Sequence, residues 1–251
     1  NPATTSPQPA EGESFSTVTP QRALDTRSGG SGPVAAGGTV VVPVVGSYGV
    51  PADATAVLLN VGVARTAGTG FVSATANAPS GQPDTSVLTF GSAGSTASAN
   101  ATVPLNAAGS FTLYSSTDSH LIVDVVGYLP AGSSFNPVEP SRYLDTRPTG
   151  ETVDDVSQRE GKRGAQSEYE LQVAGRPGVP MDASAVVVNV TAVQADGVGF
   201  VTVHPCLDSR PLASSLNYAT GVNGANELIA LLDDAGITAD DDGVRARVRV
   251  E

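Results

Sequence analysis

Apolar and polar positions along this chain follow a period of two, or run unbroken for a few residues, and each stretch is closed by Gly, Pro, Asn or Ser. Side chains alternate across a strand, so the pattern describes strands with one face on a core; no segment carries the capped 3.6-residue stripe of a helix. Between residues 15 and 130 it predicts strands at Thr39–Val45, Ala56–Ala64, Gly70–Ala76, Ser86–Phe90, Ala101–Leu105, Ser110–Ser115 and His120–Tyr128. An apolar first strand carrying Arg22 to Arg27 precedes them. Short strands at this spacing predict an all-β fold, with a two-sheet antiparallel β-sandwich preferred to a barrel. Facing sheets of Val, Leu and Ala close a thin core without large rings, which suits a chain with 5% aromatics and no Trp.

The pattern occurs twice. Phe15–Arg27 is matched by Phe135–Arg147 at an offset of 120, sharing the Pro at 20 and 140, the Arg at 22 and 142, and a common Leu-Asp-Thr-Arg. Gly49–Val72 matches Gly178–Val201 at an offset of 129, with 13 of 24 positions identical, a level that chance does not produce. Leu88-Thr89-Phe90 then pairs with Leu216-Asn217-Tyr218, and Ala99-Asn100 with Ala225-Asn226. The expectation is two tandem antiparallel β-sandwich domains from an internal repeat, at 15–130 and 131–251, the second with a diverged C-terminal strand. Residues 1–14, rich in Pro, Ser and Thr, read as a linker or tail. Growth of the offset by nine places an insertion within Pro148–Leu171, whose Glu, Asp, Arg and Gly predict a solvated arm.

The opening Arg-x-Leu-Asp-Thr-Arg, the central Gly-Val-Pro…Asn-Val…Gly-Phe-Val, Ser214–Tyr218 and the closing Val123-Asp124-Val125-Val126-Gly127-Tyr128 together resemble a module repeated in secreted and cell-surface proteins of actinobacteria. The resemblance covers Phe15 to Leu129 and Phe135 to about Leu232. It implies a noncatalytic extracellular β-module. Two departures stand out. The second copy lacks the Asp-Val-x-Gly-Tyr ending, and Cys206 lacks the second Cys that similar repeats carry after the Ala-Gly matching Ala235-Gly236.

The formal net charge is −12, from 13 basic and 25 acidic residues, so the chain repels phosphate backbones and nucleic acid is not expected as a partner. No run approaches the roughly 18 apolar residues of a membrane helix, and no membrane insertion is expected. Cys206 is the one cysteine, which excludes a disulfide within the chain. With Asn1 first and Met181 the only methionine, a processed piece of a longer precursor is expected.

Candidate chemistry centres on the Asp-Thr-Arg triplets. Arg22, Asp25 and Arg27, and again Arg142, Asp145 and Arg147, set guanidinium groups near a carboxylate, while Asp124 is a polar group in an apolar strand that needs a partner. One reading is a buried structural clasp tying the first strand to the last; the other is a paired site recognising a carboxylate or a sugar. A hydrolytic nucleophile needs an oriented base, and the two histidines, His120 and His204, lie at nonequivalent positions. Cys206 and His204 share a strand face, and a half-buried thiol beside a surface imidazole is expected there. Asp154-Asp155 and Asp240-Asp241-Asp242 are acidic, but they lack calcium-loop spacing and read as solvated turns. No metal or cofactor is expected. Asn100-Ala101-Thr102 and Asn189-Val190-Thr191 fit the glycosylation triplet.

These readings predict no enzyme. They predict a structural or adhesive module, extracellular or at the cell surface, whose partners are neighbouring copies of itself or a polysaccharide. A carbohydrate-binding module is the alternative. It needs exposed aromatic platforms, for which Tyr48, Tyr114, Tyr143 and Tyr169 are the candidates, since Phe71 and Phe200 read as core. Val244–Glu251 alternates strictly between small apolar residues and Arg or Glu, which predicts a closing strand with one wet face in the second copy.

Overall fold

The computed structural model describes residues 15–28, 32–206, 210–232 and the backbone of 247–250. The fold is all-β: the described residues contain no helix, and the strands pair antiparallel. In the first half the strands are β1 (Ser16–Asp25), β2 (Gly38–Pro43), β3 (Ala54–Ala64), β4 (Gly70–Thr75), β5 (Leu88–Phe90), β6 (Ala97–Pro104), β7 (Ser110–Ser115) and β8 (His120–Pro130). They form two four-stranded sheets, ordered β1-β8-β3-β6 and β2-β7-β4-β5. One core lies between them, because alternate positions face inward: Val57, Leu59, Val61 and Val63 of β3, Leu121, Val123 and Val125 of β8, Phe111 and Leu113 of β7. None of these is more than 1% exposed. The second face of β8 is half-covered rather than enclosed, with Ile122, Asp124, Val126 and Tyr128 at intermediate exposure.

Period two also decides the phenylalanine that had read as core. Inward-facing Val72 leaves Phe71 on the opposite face of β4, where its ring lies 5.9 Å from that of Tyr114. Its sequence match Phe200 is 52% exposed, so neither ring belongs to the core between the sheets. Gly109 closes the turn into β7 at φ +69, and a Cβ there would sit 2.4 Å from Val45.

The second half holds β9 (Tyr169–Gln172), β10 (Ala185–Ala192), β11 (Gly199–Val201), β12 (Val203–Pro205), β13 (Leu216–Tyr218), β14 (Gly224–Leu231) and β15 (Arg247–Val250). Its sheets are smaller: β10-β14, β11-β13 and β12-β15-β9. Residues 136–144, which match β1 in sequence, form no strand, and only an isolated bridge between Asp145 and Gln158 stands in for the β1–β8 ladder. Among the described residues its core is formed by Leu171, Val173, Ala174, Ala230 and Leu232, with Leu144, Val186 and Val188 packed partly against it.

The C-terminal strand corrects the expectation placed on Val244–Glu251. Within the described part, β15 does not close the half as β8 does; it runs between β9 and β12, as β7 runs between β2 and β4. Pairing on both sides makes it the middle strand of its sheet. Residues 244–246 and 251 lie outside the described residues. The halves meet where the Glu227 carboxylate accepts hydrogen bonds from the Thr102 amide (2.8 Å) and hydroxyl (2.9 Å), capping the open edge of β6.

Candidate functional site

The Asp-Thr-Arg segments become two clusters of the same construction. In the first, the pairing of β1 with β8 shifts register between Arg22 and Leu24. The extra residue brings Arg22 and Asp25, three apart and otherwise on opposite faces, to one side of the strand. Arg22 then bridges two carboxylates: Nη1 donates to Asp25 at 2.8 Å, Nε and Nη2 to Asp124 on β8 at 2.5 and 3.2 Å. Arg27 returns to Asp25 through Nε (2.9 Å), Nη2 (2.6 Å) and its own amide (3.1 Å). Two guanidinium groups and two carboxylates make a neutral cluster with both oxygens of each carboxylate engaged. The hydrogen bond from the Arg27 side chain, joined by its amide and by the charges of Arg27 and Arg22, outweighs desolvation and holds the Asp25 carboxyl well below its ordinary pKa. Arg22 moves the other way, stabilised as a cation chiefly by its bond to Asp124.

The expected tie between first and last strand is present, but it is a surface feature. Arg22 is 45% and Arg27 40% exposed. The member of the motif that is buried is Thr26, whose oxygen accepts the Leu121 amide at 3.0 Å and lies 3.1 Å from His120 Nδ1. Sequence reading passed over this threonine between two charged residues. Its signal was its recurrence at 146.

In the second cluster Asp145 is the buried centre, holding Arg142 Nη1 at 3.0 Å and Arg147 through Nε (2.9 Å), Nη2 (2.5 Å) and amide (3.1 Å). Burial disfavours its charged form, yet the Arg147 hydrogen bonds and the charges of Arg147 and Arg142 outweigh that and leave the pKa below the usual carboxylate range. Among the described residues no carboxylate bridges Arg142 as Asp124 bridges Arg22, while the Asp84 carboxylate adds to the field that favours the Arg147 cation.

The inserted arm is not simply solvated. Arg176, buried, clamps Asp154 with Nε and Nη2 at 2.8 and 2.6 Å, reaches the Tyr143 and Gln172 carbonyls through Nη1, and lies 4.9 Å above the Tyr143 ring. Asp154 is thereby neutralised by a guanidinium, and its pKa is held down first by that hydrogen bond. Among the described residues no group of three His, Cys, Asp or Glu is placed to hold a metal ion. Asp240 to Asp242 lie outside them.

The four tyrosines do not share a surface. Tyr114 is only 6% exposed and so is withdrawn from any platform; Tyr143 donates to the Pro177 carbonyl, and Tyr169 donates to Glu160 at 2.7 Å beneath Arg163. Tyr48 packs partly against the first core at φ +55. His204 corrects another expectation: it is buried, with Nδ1 2.8 Å from the Pro205 carbonyl, while Cys206 is half-exposed. Asn100 lies on β6 accepting a bond from Asn60, and Asn189 on β10 donates to the Ser86 carbonyl. Two shallow clefts mark the surface. One of about 560 Å³ is lined by Thr55, Asn106, Pro137 and Glu139, the other of about 300 Å³ by Val203, His204, Ile229 and Leu231. Each brings one titratable side chain to its walls. No family model, curated protein or solved structure matches this chain.

Proposed function

We propose that this chain is a noncatalytic structural or adhesive module of a secreted or cell-surface protein, built as two tandem β-sandwich units descended from one repeated sequence. The observation that carries the reading is the use made of the repeated charges. The motif common to both halves saturates its carboxylates with arginines of the same segment, so its most distinctive chemistry is consumed in holding the chain and presents no activated nucleophile or base. Extracellular placement rests on the resemblance of the motifs. Partners are read from the surface: among the described residues, ten of the twelve large exposed apolar side chains lie between Val138 and Leu231. Where such side chains adjoin, as Ile229 and Leu231 do beside Val203 along the smaller cleft, they offer apolar surface to another macromolecule.

Sedimentation of the purified protein over a range of concentrations, together with binding to immobilised polysaccharides and a panel of ester, glycoside and peptide substrates, tests the reading. Self-association or surface adherence without turnover is expected. Turnover abolished by His204→Ala would overturn it. Polysaccharide binding lost on replacing Tyr48, Tyr143 or Tyr169 by Ala would transfer the assignment to the carbohydrate-binding alternative.

A further inference from the structure

The halves differ at one row of outward side chains. On β3 and β6, Asn60 stands opposite Asn100 and donates to it at 3.4 Å, so the two amides bond each other. The same row in the second half pairs Asn189 of β10 with Glu227 of β14. Glu227 stands there because β14 is set one residue out of step with the sequence match of Ala225-Asn226 to Ala99-Asn100. In step, it would take the inward place of Ala101, which is 1% exposed, and a carboxylate enclosed in an apolar core is costly. A shift of one residue turns every side chain of a strand over, so Glu227 faces out while Leu228 and Ala230 face the core.

Both side chains of that row leave their own sheet and bind the first half. Glu227 Oε2 accepts the Thr102 amide at 2.8 Å and Oε1 the Thr102 hydroxyl at 2.9 Å, a two-pronged grip on one residue of the β6 edge. Asn189 Nδ2 donates to the Ser86 carbonyl, just before β5. Thr89 of β5 donates to the Asn223 carbonyl, just before β14, at 3.3 Å, and a Cβ on Gly91 would lie 3.8 Å from Val222. The Asp84 charge reaches Arg147 of the second arginine cluster. One such contact would leave a hinge. Contacts spread over β5 and β6 on one side and β10 and β14 on the other resist rotation about any single one of them.

We propose that the outer face of β10 and β14 is a receptor for the β5–β6 edge of the first half, with Glu227 as the residue that fixes the angle between the halves, so that the tandem moves as one stiff unit. The chemistry that the row accepts is a strand amide beside a hydroxyl for the carboxylate, and a loop carbonyl for the side-chain amide. In the first half the row holds two amides that bond each other, so the carboxylate is what turns this face into a receptor. This role rests on the reading of two tandem units, and not on adhesion or on where the protein acts.

Spin labels on Val41→Cys and Met181→Cys, exposed positions in opposite halves, report the distance between the halves in the full chain with Cys206→Ser. Labelled chain is diluted into unlabelled chain, so that only distances within one molecule count. The parent should give one narrow distance distribution. Glu227→Ala should at least double its width and speed exchange of the Thr102 amide at least tenfold, while amides bonded within β3, β8 and β10 exchange as in the parent. Thr102→Val, which removes the hydroxyl and leaves β14 untouched, should broaden the distribution by a smaller amount. A broad distribution in the parent would overturn the proposal, as would Glu227→Ala at the parent's width or with Thr102 exchange unmoved. Loss of protection within β10 and β14 in Glu227→Ala would make Thr102→Val the deciding variant: the parent's width there overturns the proposal, and a wider spread upholds it. None of these outcomes bears on self-association or turnover, which the sedimentation and substrate assays decide.

Discussion

Replacing Thr26 by Val should harm the first half more than replacing either charged neighbour in its motif. The two side chains are nearly the same size and both favour strands, so Thr26→Val keeps packing and backbone preference while removing the hydroxyl. Thr26 is 3% exposed, and its oxygen takes the Leu121 amide at the point where β8 begins. Without it that buried N–H and His120 Nδ1 lose their partner, and water has little access to replace it. Leaving a buried donor unsatisfied costs about 1–3 kcal/mol. For a unit of roughly this size that lowers the melting midpoint by several degrees. Arg27→Ala removes a guanidinium that is 40% exposed and bonded only to Asp25, two residues away. Exposed local ion pairs stabilise little, so its midpoint should stay close to that of the parent. Thermal and urea unfolding, followed by circular dichroism and by exchange of the β8 amides, separates the two. A Thr26→Val protein that unfolds with the parent, beside an Arg27→Ala protein several degrees lower, would refute the reasoning and return the structural weight to the guanidinium.

Acid should act through the clustered carboxylates. Asp25, Asp145 and Asp154 all have folded-state pKa values below their ordinary ones, so their stabilisation is complete above an unfolded pKa of about 3.9 and is lost as pH falls through the lower folded values. Urea midpoints should therefore be flat from about pH 5 to 8 and fall below about pH 4; midpoints that rise as the solution is acidified would contradict this. Arg176→Ala should free the inserted arm, seen as trypsin cleavage at Arg159, Lys162 or Arg163 at least tenfold faster than in the parent, because a removed guanidinium takes its bonds from Asp154 and from the Tyr143, Gln172 and Val156 carbonyls. A chain ending at residue 242 should lose protection in β9 and β12, which β15 joins, while exchange in β3, β7 and β8 stays as in the full chain; equal loss in both halves would show that the cores are not separate.

The strand pattern was legible because it depends on local composition. β7 falls exactly where alternation and turn residues place it, and β3, β4 and β8 differ from their expected bounds by one or two residues at an end. β6 begins four residues earlier than expected, since Ala97 to Asn100 carry no strong apolar signal and join the sheet by pairing with β3. The Arg22–Asp124 tie was legible too, because a carboxylate inside an apolar strand demands a partner. Its exposure was not, since whether a clasp sits on the wet or dry side of a sheet depends on the bulge near Ala23, which nothing local announces. Thr26 escaped notice between two charged residues, and Phe71 was assigned to the wrong face although its alternation with Val72 sets it outside the core.

The second half shows what sequence likeness to the first half does and does not determine. β10 keeps the inward register of β3, with Asn189 on the outer face where Asn60 lies, because its alternation is intrinsic to the segment. Burial is different: it belongs to neighbours. Val186, Val188 and Val190 are as apolar as their matches, yet they stay partly exposed where β14 is the one strand paired with β10 among the described residues, and Ile229 and Leu231 of β14 are 74% and 63% exposed.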